Sequence, residues 1–478
     1  MAAGDLFALV ERAVGRNPGA PAIVTVDNQI LSYEKLALTV ASFANHANQA
    51  RIKPADRVAI DIANEAVRLC LIFALSRIGA VAVPSGAPEE ILGAGIELSA
   101  VISNRLEYRA APRTIAFHQG WFVPIGTGVS SGAFPKDAPC LLMASSGSTG
   151  RKKFMEFPLD MLRRRLDWDD GILPHRDANR LLTLSIATDF GFRNAMRTLR
   201  HGGLLVGPAG SPQATIERLG EHGIGQLVTT PSILVDLVDE MRRRPKPLPK
   251  FESIITVGGP IAGTCAAEAA RLFSSTVTNV YGSTETGIIA LAMGEEWFAK
   301  PGASGRVSPW LRLEIIDHND EPLPLGREGQ VRVKLDPSFA VQGYINEGGI
   351  DNDSIRNGWF YPGDLGHLSG DGQLTITGRV RELINTGGNK ISPAAVEERL
   401  SPIRGIAHVA AVGIRNESGF DSIGIAICRK PEIPMSEIRK DIARRLNFPC
   451  ETLVIDVERL PLNQAGKIDR FRLRSLFD

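Results

Sequence analysis

Short β-branched runs and longer amphipathic stretches alternate through the first third of the chain. Ala22-Ile-Val-Thr-Val26 is apolar and short, which predicts a strand. Ser32 follows as a candidate N-cap, with Tyr33, Leu36, Ala37, Val40, Phe43 and Ala44 at helical spacing behind it. Arg57-Val-Ala-Ile-Asp-Ile62 predicts the next strand and residues 65–77 a helix. Ala80 to Val83 is a further strand, stopped by Pro84. This β-α-β-α-β order predicts a parallel, twisted sheet covered by helices. The pattern resumes in the middle, where Leu181 to Ile186, Gln226 to Thr230, Ile254 to Val257 and Thr276 to Tyr281 read as buried strands. The third runs into Gly258-Gly259-Pro260 and the fourth into Gly282. Loops at the carboxyl ends of such strands are where α/β sheets bind ligands.

After about residue 300 the texture changes. Turns become frequent and strands alternate, as at Leu311 to Ile316 and Gln330-Val-Arg-Val-Lys334, which predicts a smaller β-rich subdomain. Beyond Gly378-Arg379 there are separate core signals: Val409 to Ile414, Ile423 to Cys428, a helix over 436–446 and Leu453 to Val457. The expected fold class is therefore α/β. A large N-terminal domain over 1–379 holds parallel or mixed sheets, helices and the β-rich subdomain. A small C-terminal α+β domain spans 380–478.

Composition narrows the function classes. The 54 basic and 53 acidic residues balance to +1, so no global field favours nucleic acid or an anionic membrane. The five cysteines, at 70, 140, 265, 428 and 450, show no CxxC pair and read as free thiols in a reducing cytoplasm. Asp5, Glu11 and Arg12 interrupt the N-terminal apolar residues, so no signal-peptide core is present there. No run approaches the roughly 20 apolar residues that span a bilayer. The basic runs Arg163-Arg-Arg165 and Arg242-Arg-Arg244-Pro-Lys246 read as solvated helix faces and loops, with no interleaved aromatics to suggest nucleic acid.

Five segments carry candidate chemistry. Ser145-Ser146-Gly147-Ser148-Thr149-Gly150-Arg151-Lys152-Lys153 combines small residues, which let backbone N–H groups converge, with hydroxyls and a cation. That set suits a polyphosphate, although Gly-x-x-x-x-Gly-Lys-Ser/Thr is absent. Taken alone, a flexible linker would look similar. Tyr281-Gly282-Ser283-Thr284-Glu285 offers a ring for a base and a carboxylate for Mg²⁺. Tyr361-Pro362-Gly363-Asp364 places a carboxylate on a turn, where it can accept two ribose hydroxyls or simply stabilise the turn. Gly378-Arg379 is followed by the loop Thr386-Gly387-Gly388-Asn389-Lys390. Leu460-Pro461-Leu462-Asn463-Gln464-Ala465-Gly466-Lys467-Ile468-Asp469-Arg470 ends the series with a lysine on a glycine-flexed turn.

In this order and spacing the segments resemble the adenylate-forming superfamily, which includes acyl- and aryl-CoA synthetases, luciferases and peptide-synthetase adenylation domains. The resemblance runs from Ser32-Tyr33 to Arg470. It implies an ATP- and Mg²⁺-dependent ligase with a mobile C-terminal domain and an active site between the two domains. By that resemblance, Ser145, Ser146, Gly147, Ser148, Thr149 and Gly150 cradle the β- and γ-phosphates, with Lys153 at the motif's lysine position. Gly258, Gly259 and Pro260 border the adenine, and Tyr281-Gly282 lies against its face. Thr284 meets the α-phosphate, Glu285 the Mg²⁺, and Asp364 the ribose, with Arg379 nearby. Lys467 bridges the α-phosphate and the substrate carboxylate. Arg381 falls at the hinge, and Gly387 and Gly388 leave room for a pantetheine arm. Two departures stand out: Lys152 replaces the usual proline, implying a less rigid loop, and Arg381 replaces Asp or Lys.

The implied reaction joins a small carboxylic acid to AMP and then to a thiol. CoA is the expected acceptor and a carrier protein the alternative. The acid pocket is expected from Asp189, Phe190 and Phe192 together with Ser283 and Gly287. Asp189 admits two readings: an anchor for an amino-acid ammonium, or a carboxylate capping its turn or pairing with Arg193. A stand-alone amino-acid-activating enzyme and a non-catalytic nucleotide-binding protein are the competing functions.

Overall fold

The structure is a computed structural model. It describes residues 4–84, 86–105, 113–125, 135, 137–145, 152–175, 177–244, 252–261, 263–273, 276–294, 303–336, 338–341, 343–346, 349–351, 354–386, 390–415, 421–446, 450–462 and 468–477. Residues 146–151, 387–389 and 463–467 lie outside this set, and with them Ser146 to Gly150, Gly387, Gly388 and Lys467.

Two sheets form the large N-terminal part, as the alternation of strands and helices predicts. In one, Arg57–Asp61 pairs in parallel with Val81–Val83 and Ala100–Ser103. Val81–Val83 continues in parallel to Pro139–Ser145, which turns back antiparallel as Lys153–Pro158. In the other, six strands run parallel in the spatial order Pro21–Val24, Leu205–Val206, Arg180–Leu182, Gln226–Thr229, Ser253–Val257 and Val277–Ser283. Gly287–Met293 and Ala303–Val307 extend it antiparallel and join it to Gln373–Arg379 and Asp364–Leu368 of the β-rich region. The switch from parallel to antiparallel pairing thus comes at Gly287–Met293, just ahead of the change of texture near residue 300, and within one continuous ladder.

The first predicted strand is not in the sheet of its neighbours in sequence. Pro21–Val24 joins the second sheet, whereas Arg57–Asp61 and Val81–Val83 belong to the first. The reason is local. Asn28, with φ 63°, turns the chain into a short hairpin with Ile30–Ser32. Ser32 then caps the helix Tyr33–Gln49 by accepting from the Lys35 N–H. The Tyr33 hydroxyl donates to the carbonyl of Gly203 at 2.7 Å, pinning the helix start beside the second sheet. Along the helix, Leu36, Val40, Phe43 and Ala44 pack into the core shared with the first.

Past the β-rich region, Ile406–Arg415 and Asp421–Arg429 pair antiparallel, and Thr452–Asp456 adds a parallel edge. Helices Pro393–Leu400 and Met435–Arg445 cover a separate core that includes Val396, Leu400, Ile425, Ile438 and Ile442. Gly378 lets Ser392 approach the last strand of the large part. A Cβ there would lie 2.3 Å from the serine Oγ, which donates to the Thr377 carbonyl at 2.6 Å. The same C-terminal unit meets helix Pro231–Arg243 through His408 and Asp236 at 2.9 Å and Lys430 and Asp239 at 3.4 Å. Arg381 is exposed on the short 3-10 turn Val380–Glu382 between the two parts.

All five cysteines are free thiols. Burial pushes Cys70 and Cys140 up to about 12, so neither supplies a thiolate near neutrality. Among the described residues no helix is long and apolar enough to cross a membrane.

Candidate active site

The site is built at the carboxyl end of Val277–Ser283. This strand continues past Tyr281 into a tight hairpin, with Ser283 paired to Gly287. A Cβ on Gly282 would lie 2.4 Å from the Gly287 carbonyl, and Gly287 itself has φ +77°, so the turn demands glycine at both places. The Ser283 Oγ accepts the Thr286 N–H at 3.2 Å. Thr284 and Glu285 therefore sit at a stiff hairpin tip beyond the end of a buried strand.

Beside the tip, the Tyr281 hydroxyl donates to Asp364 Oδ2 at 2.5 Å. Arg379 Nε donates to Asp364 Oδ1 at 3.0 Å. The pairing of Asp364 with Arg379 in neighbouring strands brings these two motifs together. Asp364 opens a strand rather than lying within the turn that precedes it. Each of its oxygens keeps a second lone pair, so the carboxylate can accept two ribose hydroxyls while held by the tyrosine and the arginine. Burial, and then the adjacent Asp364 carboxylate, raise Tyr281 well above its ordinary value of 10.0. The phenol is therefore a fixed donor. One strand over, Val257 pairs with Val280, so Gly258 follows level with Tyr281. Gly259 and Pro260 come next, and Pro260 is exposed.

On the other side of the tip, Glu285 is 6% exposed and accepts from the Tyr344 hydroxyl at 2.6 Å. Lys153 places its ammonium 4.6 Å from the centre of the Tyr344 ring, within cation–π range. Lys153 pairs with Ser145 across the ladder that flanks residues 146–151. Lys152, where the resemblance leads to proline, is tied to Glu90 at 2.7 Å.

A match to the family model described as AMP-binding enzyme covers residues 10–89 and 99–345. The chain belongs to the AMP-binding enzyme family. With the family goes the enzyme class read from the motifs, an AMP-forming acid–thiol ligase. The chain is 26% identical to a feruloyl-CoA synthase from an Amycolatopsis species, over 94% of either chain. It is 26% identical to an indoleacetate–CoA ligase from Aromatoleum aromaticum, covering 99% of this chain and 98% of that one. The fold is that of ATP-bound MatB from Rhodopseudomonas palustris, with a TM-score of 0.81 at 21% identity over 100% of this chain and 99% of the other.

Within this AMP-binding enzyme, the expected acid-pocket segment leaves the ladder earlier than predicted. Arg180–Leu182 is the strand, and 183–188 form a loop. Glu65 holds that loop by accepting from the Ser185 Oγ at 2.8 Å and the Ile186 N–H at 3.1 Å. Thr188 caps the helix Asp189–Arg200. Phe192 is fully buried in the core, and Phe190 keeps partial exposure. Asp189 is buried between Arg193 at 3.1 Å and Arg165 at 3.3 Å, which is the pairing with Arg193 weighed above.

Arg165 corrects the reading of its basic run. Arg163 and Arg164 do lie on the surface, both paired with Asp160. Arg165 is 2% exposed, because the helical turn aims it inward with Met161, Leu162, Leu166 and Asp169. Its guanidinium donates to the carbonyls of Thr284 at 2.9 Å, Glu285 at 2.8 Å and Phe339 at 2.7 Å. It thus grips the hairpin tip from below. Burial pulls this guanidinium down from its ordinary value, and Asp189 opposes the shift. The signal was available: Arg165 recurs four residues after Met161 and four before Asp169, a spacing that marks one helix face.

Tyr344 is a second site residue that none of the five motifs contains. The chain has only five tyrosines, and Tyr281 and Tyr344 both meet candidate site carboxylates. Among the described residues, no group of three or more His, Cys, Asp or Glu converges as a metal cage. A single buried carboxylate suits Mg²⁺, which is commonly held by one or two carboxylates together with substrate phosphates. Glu285 would hold it there. Leu462 and Ile468, on either side of residues 463–467, form an isolated bridge. Arg470 then binds Glu382 and Glu397, each at 2.7 Å, tying this segment to the 3-10 turn Val380–Glu382 and to helix Pro393–Leu400.

Proposed function

We propose that this enzyme adenylates an aromatic or aryl-substituted carboxylic acid with ATP and then transfers the acyl group to CoA. The observation that carries this reading is the Tyr281–Asp364–Arg379 cluster beside the Thr284–Glu285 tip, which would offer a nucleoside end and a phosphate end to one ligand. Asp364 would accept the ribose hydroxyls. The hydroxyl loop 145–150, Lys153 and Thr284 would hold the phosphates, with Gly258 to Pro260 bordering the base. Mg²⁺ on Glu285 would supply charge neutralisation to the phosphates. The acid carboxylate attacks the α-phosphorus in line and pyrophosphate leaves. The protein's task is mainly to position and to stabilise charge, with Lys467 meeting the reacting groups.

The aryl preference is supported by the acids named in the relatives and by the partial exposure of Phe190 beside the loop 183–188. Asp189 is committed to two buried arginines, which argues against its anchoring a substrate ammonium. In this reading residues 1–379 bind ATP and acid. Residues 380–478 rotate about Arg381 to exchange Lys467 for Gly387 and Gly388, which would pass the pantetheine arm.

The test is ATP–pyrophosphate exchange across aryl, fatty and amino acids, followed by thioester detection with CoA. Exchange with an aryl acid and formation of its CoA thioester is the expected result. Exchange with amino acids alone, and no thioester, would overturn it.

A further inference from the structure

We infer that Tyr344 is a positioning residue that couples the metal-holding carboxylate Glu285 to the phosphate-loop lysine Lys153. The inference rests on the site reading above. Tyr344 is 5% exposed and begins the short strand Tyr344–Asn346, in which Ile345 pairs with Phe154, the residue after Lys153. That strand belongs to the first sheet, whereas Glu285 projects from the second. One ring therefore spans the two sheets at the point where their functional ends meet.

Each contact has a separate job. The hydroxyl donates to Glu285 Oε1 at 2.6 Å, a short charge-assisted bond that fixes the carboxylate rotamer and leaves the second oxygen for a cation. Three residues earlier, the Val341 N–H donates to the Glu285 carbonyl at 3.1 Å. Val341 and Tyr344 thus hold the backbone and the side chain of Glu285 respectively. The face of the ring meets the Lys153 ammonium at 4.6 Å. Both charges that meet the polyphosphate, one through the metal and one directly, are thereby set by the same side chain. A flexible glutamate would have to be ordered at each binding event; a pre-set one would not.

The two contacts can be separated. Tyr344→Phe removes the hydroxyl and keeps the ring; Tyr344→Leu removes both. Calorimetric binding of α,β-methylene-ATP, with Mn²⁺ and with EDTA, divides affinity into metal-dependent and metal-free parts without turnover. Tyr344→Phe is expected to lose about tenfold of the metal-dependent gain, the size of one hydrogen bond to a charged group, while metal-free binding stays within about twofold. Tyr344→Leu should weaken both parts. Metal-free binding also reports that the variants are folded. A Tyr344→Phe protein that keeps the full metal-dependent gain, or loses both parts in proportion, would overturn the inference. Wild-type protein with no metal-dependent binding would instead remove the underlying site reading, and this inference with it.

Discussion

Replacing Arg165 by methionine tests whether the hairpin tip is held from beneath. The substitution roughly keeps volume but withdraws donors from the carbonyls of Thr284, Glu285 and Phe339. Glu285 retains the Val341 N–H, so two carbonyls lose more than the third. Each buried acceptor left unmatched costs about 1–3 kcal/mol. Asp189 also loses one of two arginines, and breaking a buried pair is worth about 3–5 kcal/mol when no second partner remains. Arg193 does remain here, so a net loss of about 3–5 kcal/mol is expected, against a total stability of about 5–15. The protein should fold, with a melting temperature lower by roughly 3–6 °C, since a chain of this size unfolds with a large entropy. Exchange activity should fall by about 100-fold at a temperature where the variant is fully folded, because the tip carrying Thr284 and Glu285 shifts by a fraction of an ångström or more. Arg165→Lys has one compact donor group for acceptors spread around a planar fork and should lie between the two. Calorimetry and ATP–pyrophosphate exchange on the same preparations give both numbers. If Arg165→Met melts with wild type and exchanges within about threefold of it, the grip has no energetic content.

Further tests address single contacts. Lys467→Ala should slow acyl-AMP formation by at least about 100-fold, measured as single-turnover adenylate release, and full retention would refute its role. Gly388→Trp should stop thioester formation while exchange continues; equal loss in both half-reactions would refute the division of labour. Tyr281 should stay protonated beyond pH 10, because its value is raised in the folded protein. Its hydrogen bond to Asp364 therefore stabilises the fold fully below the ordinary value and is lost only as pH rises through the higher folded one. A difference ultraviolet titration against Tyr281→Phe should show no component near pH 10, and such a component would show the phenol to be open to solvent.

Much of the architecture was legible because period-2 and period-3.6 patterns are local. The helix predicted over 65–77 is observed as Glu65–Arg77, capped by Asn64. The order of motifs likewise led to the family. What was hidden depended on partners far away in sequence. The sheet to which Pro21–Val24 belongs is set by Leu205–Val206, which no local pattern reveals. The strand expected over 181–186 is shortened because Glu65 draws the 185–186 backbone out of the ladder. Charge alone groups Arg165 with its solvated neighbours, while the helical phase decides which arginine turns inward. Tyr344 sits in an unremarkable turn-rich stretch, and only the meeting of two sheets gives its hydroxyl and its face different partners.

The junction between the C-terminal unit and helix Pro231–Arg243 has a consequence for turnover. It rests on His408 with Asp236 and on Lys430 with Asp239, both partly open to water. Partly exposed contacts of this kind contribute at most about 1 kcal/mol each, and salt weakens an ion pair such as Lys430–Asp239 further. Taken by themselves the two contacts bias this junction by about 1–2 kcal/mol, which would leave it open in roughly 3–15% of molecules. In the proposed rotation of residues 380–478 these two contacts would therefore add little to the step, and the ionic strength of the medium would tune their share of it.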